Sequence, residues 1–250
     1  MNDGAAQAGV PHPGSDDGDA LRFCTSCAFA GACISEGYDK SALRQLHVLV
    51  EHVGPYDTGK HIFRVGDPFA AIAAVRAGSV KTYLIDEQGR EQVLGFYLPG
   101  EIIGLNALHS PVYTCSAVAL EPVLLCRFLF PKMAVLASRM PGLQQRLFAL
   151  LSEDIGKAAL LSGAFTADER MAALLVSLSR RYASRGLSPT RLRLSMSRTD
   201  IGNYLRLAPE TVSRVLRRFA TEGTILAEGR EVSVLNAASL EQLARSVLRS

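Results

Sequence analysis

Residues 197–225 read SRTDIGNYLRLAPETVSRVLRRFATEGTI, and this stretch decides the fold of the C-terminal third. Ile201, Leu205, Val212 and Leu216 recur where two crossed helices would bury them. Arg206-Leu207-Ala208 makes the turn, and Pro209 opens the second helix at a position where its missing N–H costs nothing. That helix then turns Glu210, Thr211, Ser213, Arg214 and Arg217 outward. The pattern is that of a helix-turn-helix over 199–219, whose second helix reads bases with its N-terminal residues. An Arg there can grip guanine with two hydrogen bonds, and a Glu can accept from the amino group of cytosine. Arg217, Arg218 and Arg230 are placed to hold phosphates. A plain helical hairpin with a basic face has the same charge. The β-hairpin predicted around Glu228-Gly229-Arg230 resembles a wing, however, and favours DNA reading.

Working outward, the charge distribution agrees. The chain has 250 residues and a net charge of +3. From Phe165 onward there are fourteen Arg, no Lys and eight acidic residues, so +6 lies there and −3 in the remainder. A basic module on a near-neutral body is the footprint of nucleic-acid binding. A further helix is predicted over 167–184, with Thr166, Asp168 and Glu169 suited to its first turn.

Upstream of this, from about Lys132 to Leu161, the period is helical. Phe148, Leu151, Ile155 and Ala158 fall at alternating gaps of four and three, the spacing of a coiled-coil seam. Packing on its own domain would also explain the stripe, but a helix between two domains has little else to bury it, so a homodimer is expected. Between Tyr56 and Phe128 the chain runs in short β-like pieces: HIFRVGDP, AIAAVRAGSVKTYLI, EQVLGFYLPGEIIGL and AVALEPVLLCRF. Strands at this spacing imply a barrel, roll or sandwich. A short helix is expected over 41–53.

The N-terminal end carries different chemistry. Cys24-x2-Cys27-x5-Cys33 is a tight run of thiols, and Cys126 lies far downstream. Three close thiolates form an open half-site that one more sulfur would close, suiting an iron–sulfur cluster or zinc. Residues 1–20 are acidic and Pro/Gly-rich, with no basic start and no apolar core, which predicts a disordered tail rather than a secretion signal. Hydrophobic residues make up 48% of the chain, yet no apolar run reaches the ~18 residues of a membrane span. A cytoplasmic protein is expected, where cysteines serve metal or redox chemistry rather than disulfides. No catalytic triad, paired carboxylates or phosphate loop is evident, and the five histidines are scattered, so no enzyme is expected.

Taken together, these motifs resemble the CRP/FNR superfamily and within it the FNR branch, oxygen-responsive transcription regulators that carry a [4Fe–4S] cluster. The resemblance covers roughly residues 21–245. It rests on the cysteine run with Cys126 in ALEPVLLCRF, on GDPFAAIAAVRAGSVK at 66–81, and on LSRRYASRGLSPTRLRLSMSRTDIGNYLRLAPETVSR at 178–214. It implies an α+β fold: a β-roll sensor of cyclic-nucleotide-binding type, a long dimerisation helix and a C-terminal winged helix-turn-helix. The implied limits are a tail to 20, sensor and roll over 21–131, dimerisation helix over 132–163 and DNA-binding domain over 164–250.

The resemblance further implies Cys24, Cys27, Cys33 and Cys126 as cluster ligands, and Glu210, Ser213 and Arg214 as base readers on a TTGAT-like palindrome. It makes the DEQGRE turn a contact for RNA polymerase. Cyclic-nucleotide binders of the superfamily place a Glu and an Arg-Ser pair in the roll; here Leu105 and Cys115-Ser116 stand instead. A cyclic phosphate would lack its charged partner, so no cyclic nucleotide is expected to bind. Cys115 lies outside the ligand set and is expected to be a small buried residue. Two alternatives stay open: a zinc- or thiol-dependent regulator without an oxygen-labile cluster, and a redox or electron-transfer protein with a basic domain.

Overall fold

A computed structural model of the chain describes residues 33–34, 45–46, 48–159 and 163–248, with the side chains of 156–159 excepted. Eight strands form the N-terminal roll: β1 (Val50–Tyr56), β2 (His61–Phe63), β3 (Ala71–Ala77), β4 (Val80–Ile85), β5 (Glu91–Tyr97), β6 (Ile102–Ile103), β7 (Ser116–Ala119) and β8 (Val123–Leu129). They make two four-stranded antiparallel sheets, ordered β1-β8-β3-β6 and β2-β7-β4-β5. The predicted helix over 41–53 runs too far, because Val50 to Val53 already pair with β8. Its β-branched valines fit a half-buried strand better than a helix.

Between the sheets pack Phe63, Val75, Val80, Tyr113, Ala117 and Leu125, with the Phe63 and Tyr113 rings stacked at 3.9 Å. The turn from β3 to β4 needs Gly78. Its φ is +79°, and a Cβ there would sit 2.3 Å from the Pro122 carbonyl oxygen.

Two helices follow, α1 (Phe130–Arg139) and α2 (Pro141–Ala159). The expected single helix over 132–163 is therefore broken. Met140 is extended at φ −126° and ψ 91°, the conformation favoured before proline, and Pro141 starts a new helix. Leu143, Leu147 and Leu150 of α2 are buried with Ile72, Ala74 and Phe128 of the β1-β8-β3-β6 sheet.

The C-terminal part is α3 (Ala167–Ala183), β9 (Arg191–Arg193), α4 (Arg198–Leu205), α5 (Pro209–Thr221), the hairpin β10 (Ile225–Glu228) and β11 (Glu231–Val234), and α6 (Ala237–Leu248). β10, β11 and β9 form a three-stranded sheet, the wing expected from the sequence. Thr166 and Ser197 each close a reciprocal capping box, with Glu169 and Asp200 respectively. Val93, Phe96 and Leu98 from β5 and its end join the core of this C-terminal part, so roll and winged helix share apolar packing.

Candidate nucleic-acid interface and thiolate site

The helix-turn-helix is fixed from the inside. Ile201 and Leu205 of α4 and Val212, Val215, Leu216 and Phe219 of α5 are all buried in one cluster. Arg206 takes the left-handed conformation that ends α4, at φ 56°. Gly202 allows the turn to fold back, since a Cβ there would meet the Leu207 carbonyl oxygen at 2.6 Å. The opposite face of α5 presents Glu210, Ser213, Arg214 and Arg217, all exposed. Arg214 is steadied by Thr211 Oγ1 at 3.1 Å, and Ser213 Oγ donates to the Pro209 carbonyl at 3.1 Å. This is a preformed row of donors and acceptors at a helix N-terminus, the part of such a helix that meets base edges.

The three predicted phosphate arginines differ. Arg217 and the wing residue Arg230 are exposed. Arg218 instead forms an ion pair with Asp168 at the start of α3. That carboxylate was legible only as a helix-start residue, so the pairing went unforeseen.

Polar contacts tie the winged helix to the roll, and the sequence reading missed all of them. Lys81 Nζ on β4 lies 2.6 Å from both Glu91 and Asp200. Burial opposes the charge on Asp200, but hydrogen bonds from Lys81 and Ser197 outweigh it and hold the carboxyl below its ordinary pKa. Asn203 accepts from the Val93 amide at 3.2 Å, and Ser79 donates to Ser195 at 2.7 Å. Glu101 receives Arg181 through two nitrogens, at 2.5 and 2.8 Å, and Arg185 at 2.9 Å. Asp200 also closes the capping box of Ser197, a local spacing that says nothing about Lys81.

Of the four predicted sulfur ligands, Cys24 and Cys27 lie outside the described residues. Cys33 and Cys126, distant in sequence, come to the margin of the same apolar cluster beneath the β1-β8-β3-β6 sheet. Cys126 sits on β8, between His52 on β1 and Ala74 on β3. Among the described residues no group of three or more His, Cys, Asp or Glu could hold a metal. Two half-buried thiols against an apolar wall do match the soft, water-poor surroundings that iron–sulfur units take. Cys115 is buried as expected. Burial raises its thiol pKa, and Asn106 Nδ2 lies 3.0 Å from the sulfur.

The predicted seam divides. Phe148 and Ile155 are 60% and 71% exposed, whereas Leu151 packs partly on its own domain's core. The side chain of Ala158 lies outside the described residues.

Comparison with known proteins matches these parts. Residues 169–243 fit the Crp-like helix-turn-helix domain and residues 54–138 the cyclic nucleotide-binding domain. The chain is 42% identical to the transcriptional activator protein anr of Pseudomonas aeruginosa, over 88% of this chain and 92% of that one. It is 38% identical to the fumarate and nitrate reduction regulatory protein of Escherichia coli, over 91% and 92%. The chain belongs to the FNR family of transcription regulators. FixK2 from Bradyrhizobium japonicum shares this fold with a TM-score of 0.71 and 28% identity, covering 78% of this chain and 96% of that one. As an FNR-type protein the chain is a DNA-binding transcription regulator with a helix-turn-helix domain. No helix among the described residues is long and apolar enough to cross a membrane.

Proposed function

We propose that this FNR-type regulator senses oxygen through a [4Fe–4S] cluster held by Cys24, Cys27, Cys33 and Cys126. The observation that carries the reading is the convergence of Cys33 and Cys126 on one apolar cluster, which α2 also enters through Leu143, Leu147 and Leu150. A group bound at those sulfurs therefore shares a core with the helix whose outer face exposes Phe148 and Ile155. When bound, the cluster supplies an oxygen-sensitive centre whose loss removes a four-sulfur crosslink.

The chain's own residues do the rest. Cys33 fastens the N-terminal segment to the sheet at β8. Leu143, Leu147 and Leu150 set the pose of α2. Phe148 and Ile155 meet a second copy, with Ala158 continuing the seam, and the homodimer sets two α5 helices one DNA turn apart, about 34 Å. Each α5 reads a TTGAT-like half-site through Glu210, Ser213 and Arg214, while Arg217 and Arg230 hold phosphates. Arg218 reaches a phosphate only by leaving Asp168.

The limits proposed are a tail to 20, sensor and roll over 21–131, helical region over 132–163 and DNA-binding domain over 164–250. The Asp86–Arg90 turn between β4 and β5, closed by an ion pair at 2.7 Å, is the proposed contact for RNA polymerase. The roll takes no cyclic nucleotide, because buried Leu105 and Cys115 stand where the ribose and phosphate partners would be. The protein acts in the cytoplasm, without catalysis and without a membrane. The deciding experiment is the ultraviolet–visible spectrum of anaerobically purified protein before and after air, with iron and sulfide analysis. A brown protein with four irons that bleaches in air is expected. A colourless protein carrying zinc overturns the oxygen sensor.

A further inference from the structure

β1 and β8 are antiparallel neighbours, and their register sets His52 directly opposite Cys126. Nδ1 of His52 lies 3.6 Å from Cys126 Sγ, which the larger radius of sulfur makes a hydrogen-bonding distance. The strand pairing fixes this contact from both sides, since Cys126 is also held opposite Ala74 of β3. His52 is exposed while the sulfur is half-buried. A thiolate ligand has no hydrogen of its own and only accepts, so the contact persists in a loaded site when the imidazole carries its hydrogen on Nδ1.

We propose that His52 is a positioning residue for the cluster: its Nδ1–H donates to the Cys126 sulfur, orients that ligand and lowers the electron density on it. The inference rests on Cys126 being a cluster ligand. Hydrogen bonds to cluster sulfurs stabilise the more electron-rich state, so this one makes the cluster harder to oxidise. In air the oxidising step takes one electron from the cluster to dioxygen, which becomes superoxide. The His52 contact slows that step and sets how much oxygen the sensor tolerates. The sulfur it adjusts is the ligand carried by the sheet rather than by the N-terminal run.

The test compares wild type, His52→Phe, His52→Asn and the neighbouring control Glu51→Ala, all purified anaerobically as full-length protein. Phe removes the donor, while the amide nitrogen of Asn occupies nearly the place of Nδ1. Iron content establishes loading. Resonance Raman then reads the iron–thiolate stretch, and bleaching in air-saturated buffer reads lability. His52→Phe is expected to shift the stretch and to bleach about tenfold faster. His52→Asn should restore both towards wild type, and Glu51→Ala should change neither. A loaded His52→Phe protein that matches wild type in stretch and bleaching overturns the proposal and leaves the cluster reading standing. Wild type without iron overturns the cluster reading itself, and this inference with it.

Discussion

The two working ends of the molecule are built in opposite ways. The reading face of α5 rests on a local core: six buried residues between Ile201 and Phe219 set it, all within one motif. The proposed readers Glu210, Ser213 and Arg214 are exposed on one face of that helix. The proposed sulfur site would be assembled at long range. Cys126 is offered by a central strand, and the other three sulfurs come from a run about ninety positions earlier. A preformed face loses affinity contact by contact when mutated. A site closed by its ligand, as proposed for the four sulfurs, fails as a whole, because all of them would share one bound object.

The largest expected effect follows from that contrast. Cys126→Ser should abolish iron binding outright, as should serine at 24, 27 or 33, whereas Cys115→Ser should keep its iron. Cys115 is buried against Asn106 in the space between the two sheets of the roll, away from the cluster of residues that Cys33 and Cys126 join. Iron and sulfide analysis of the five variants decides it. Retention at Cys126→Ser with loss at Cys115→Ser would reverse the assignment.

Next in size is the connection between the two ends. Ile155→Glu should turn the anaerobic dimer into monomer, because two unpaired charges face each other across an apolar seam at a cost of several kcal/mol, roughly 3–5. Sedimentation velocity reads it. A variant that stays a tight dimer moves the seam off this face of α2. Leu151→Ala should differ in kind, lowering the thermal stability of the domain, since Leu151 packs partly on its own core.

What was legible in the sequence follows the same contrast. The helix-turn-helix was readable because its signals are local: apolar spacing, a three-residue turn and a proline at the helix start. The wing and the strand-rich sensor were readable from turns and alternation. The break at Pro141 was written in the sequence too, since proline disfavours a helical residue before it, but the helical period read from Lys132 to Leu161 suggested one helix. The pairings of Lys81 with Asp200, Glu101 with Arg181 and His52 with Cys126 were not legible. Each joins residues whose separation carries no period, and only the docking of strand on strand or domain on domain brings them together.

At the reading face the losses should come singly. Arg214→Ala should weaken binding to the palindrome by roughly 1–3 kcal/mol per half-site and erase the preference for guanine at one base pair. Titrations on the palindrome and on single-base variants measure both. Full preference retained without Arg214 means that α5 docks differently.

The polar tie between the ends should be weaker still. Removing Lys81 as Lys81→Met leaves the half-buried Asp200 with Ser197 alone and should cost about 1–3 kcal/mol in thermal unfolding. Asp200 has a folded pKa below its unfolded one. Its contribution is therefore complete above about pH 3.9 and lost as pH falls through the lower folded value. Asp200→Asn should flatten the acid side of the stability curve in that window. An unchanged acid limb would mean that other carboxylates govern it.

The smallest effect distinguishes two adjacent arginines. Arg217 is exposed on the outward face of α5, and Arg218 is turned back to Asp168. If Arg217 holds a phosphate in each half-site, Arg217→Ala should weaken all sequences alike. It should also reduce the slope of log K against log salt by about two for the dimer. Arg218→Ala should leave that slope nearly unchanged. It should cost well under about 1 kcal/mol of stability, the usual worth of a half-exposed ion pair. Asp168→Asn is the sharpening variant, because it frees Arg218 without removing its charge. If DNA already draws Arg218 from Asp168, breaking the pair beforehand should tighten binding and Arg218→Ala should cut the slope as Arg217→Ala does. If the pair holds in the complex, both Asp168→Asn and Arg218→Ala should leave the slope where it was, and the phosphate contacts of this helix end at Arg217.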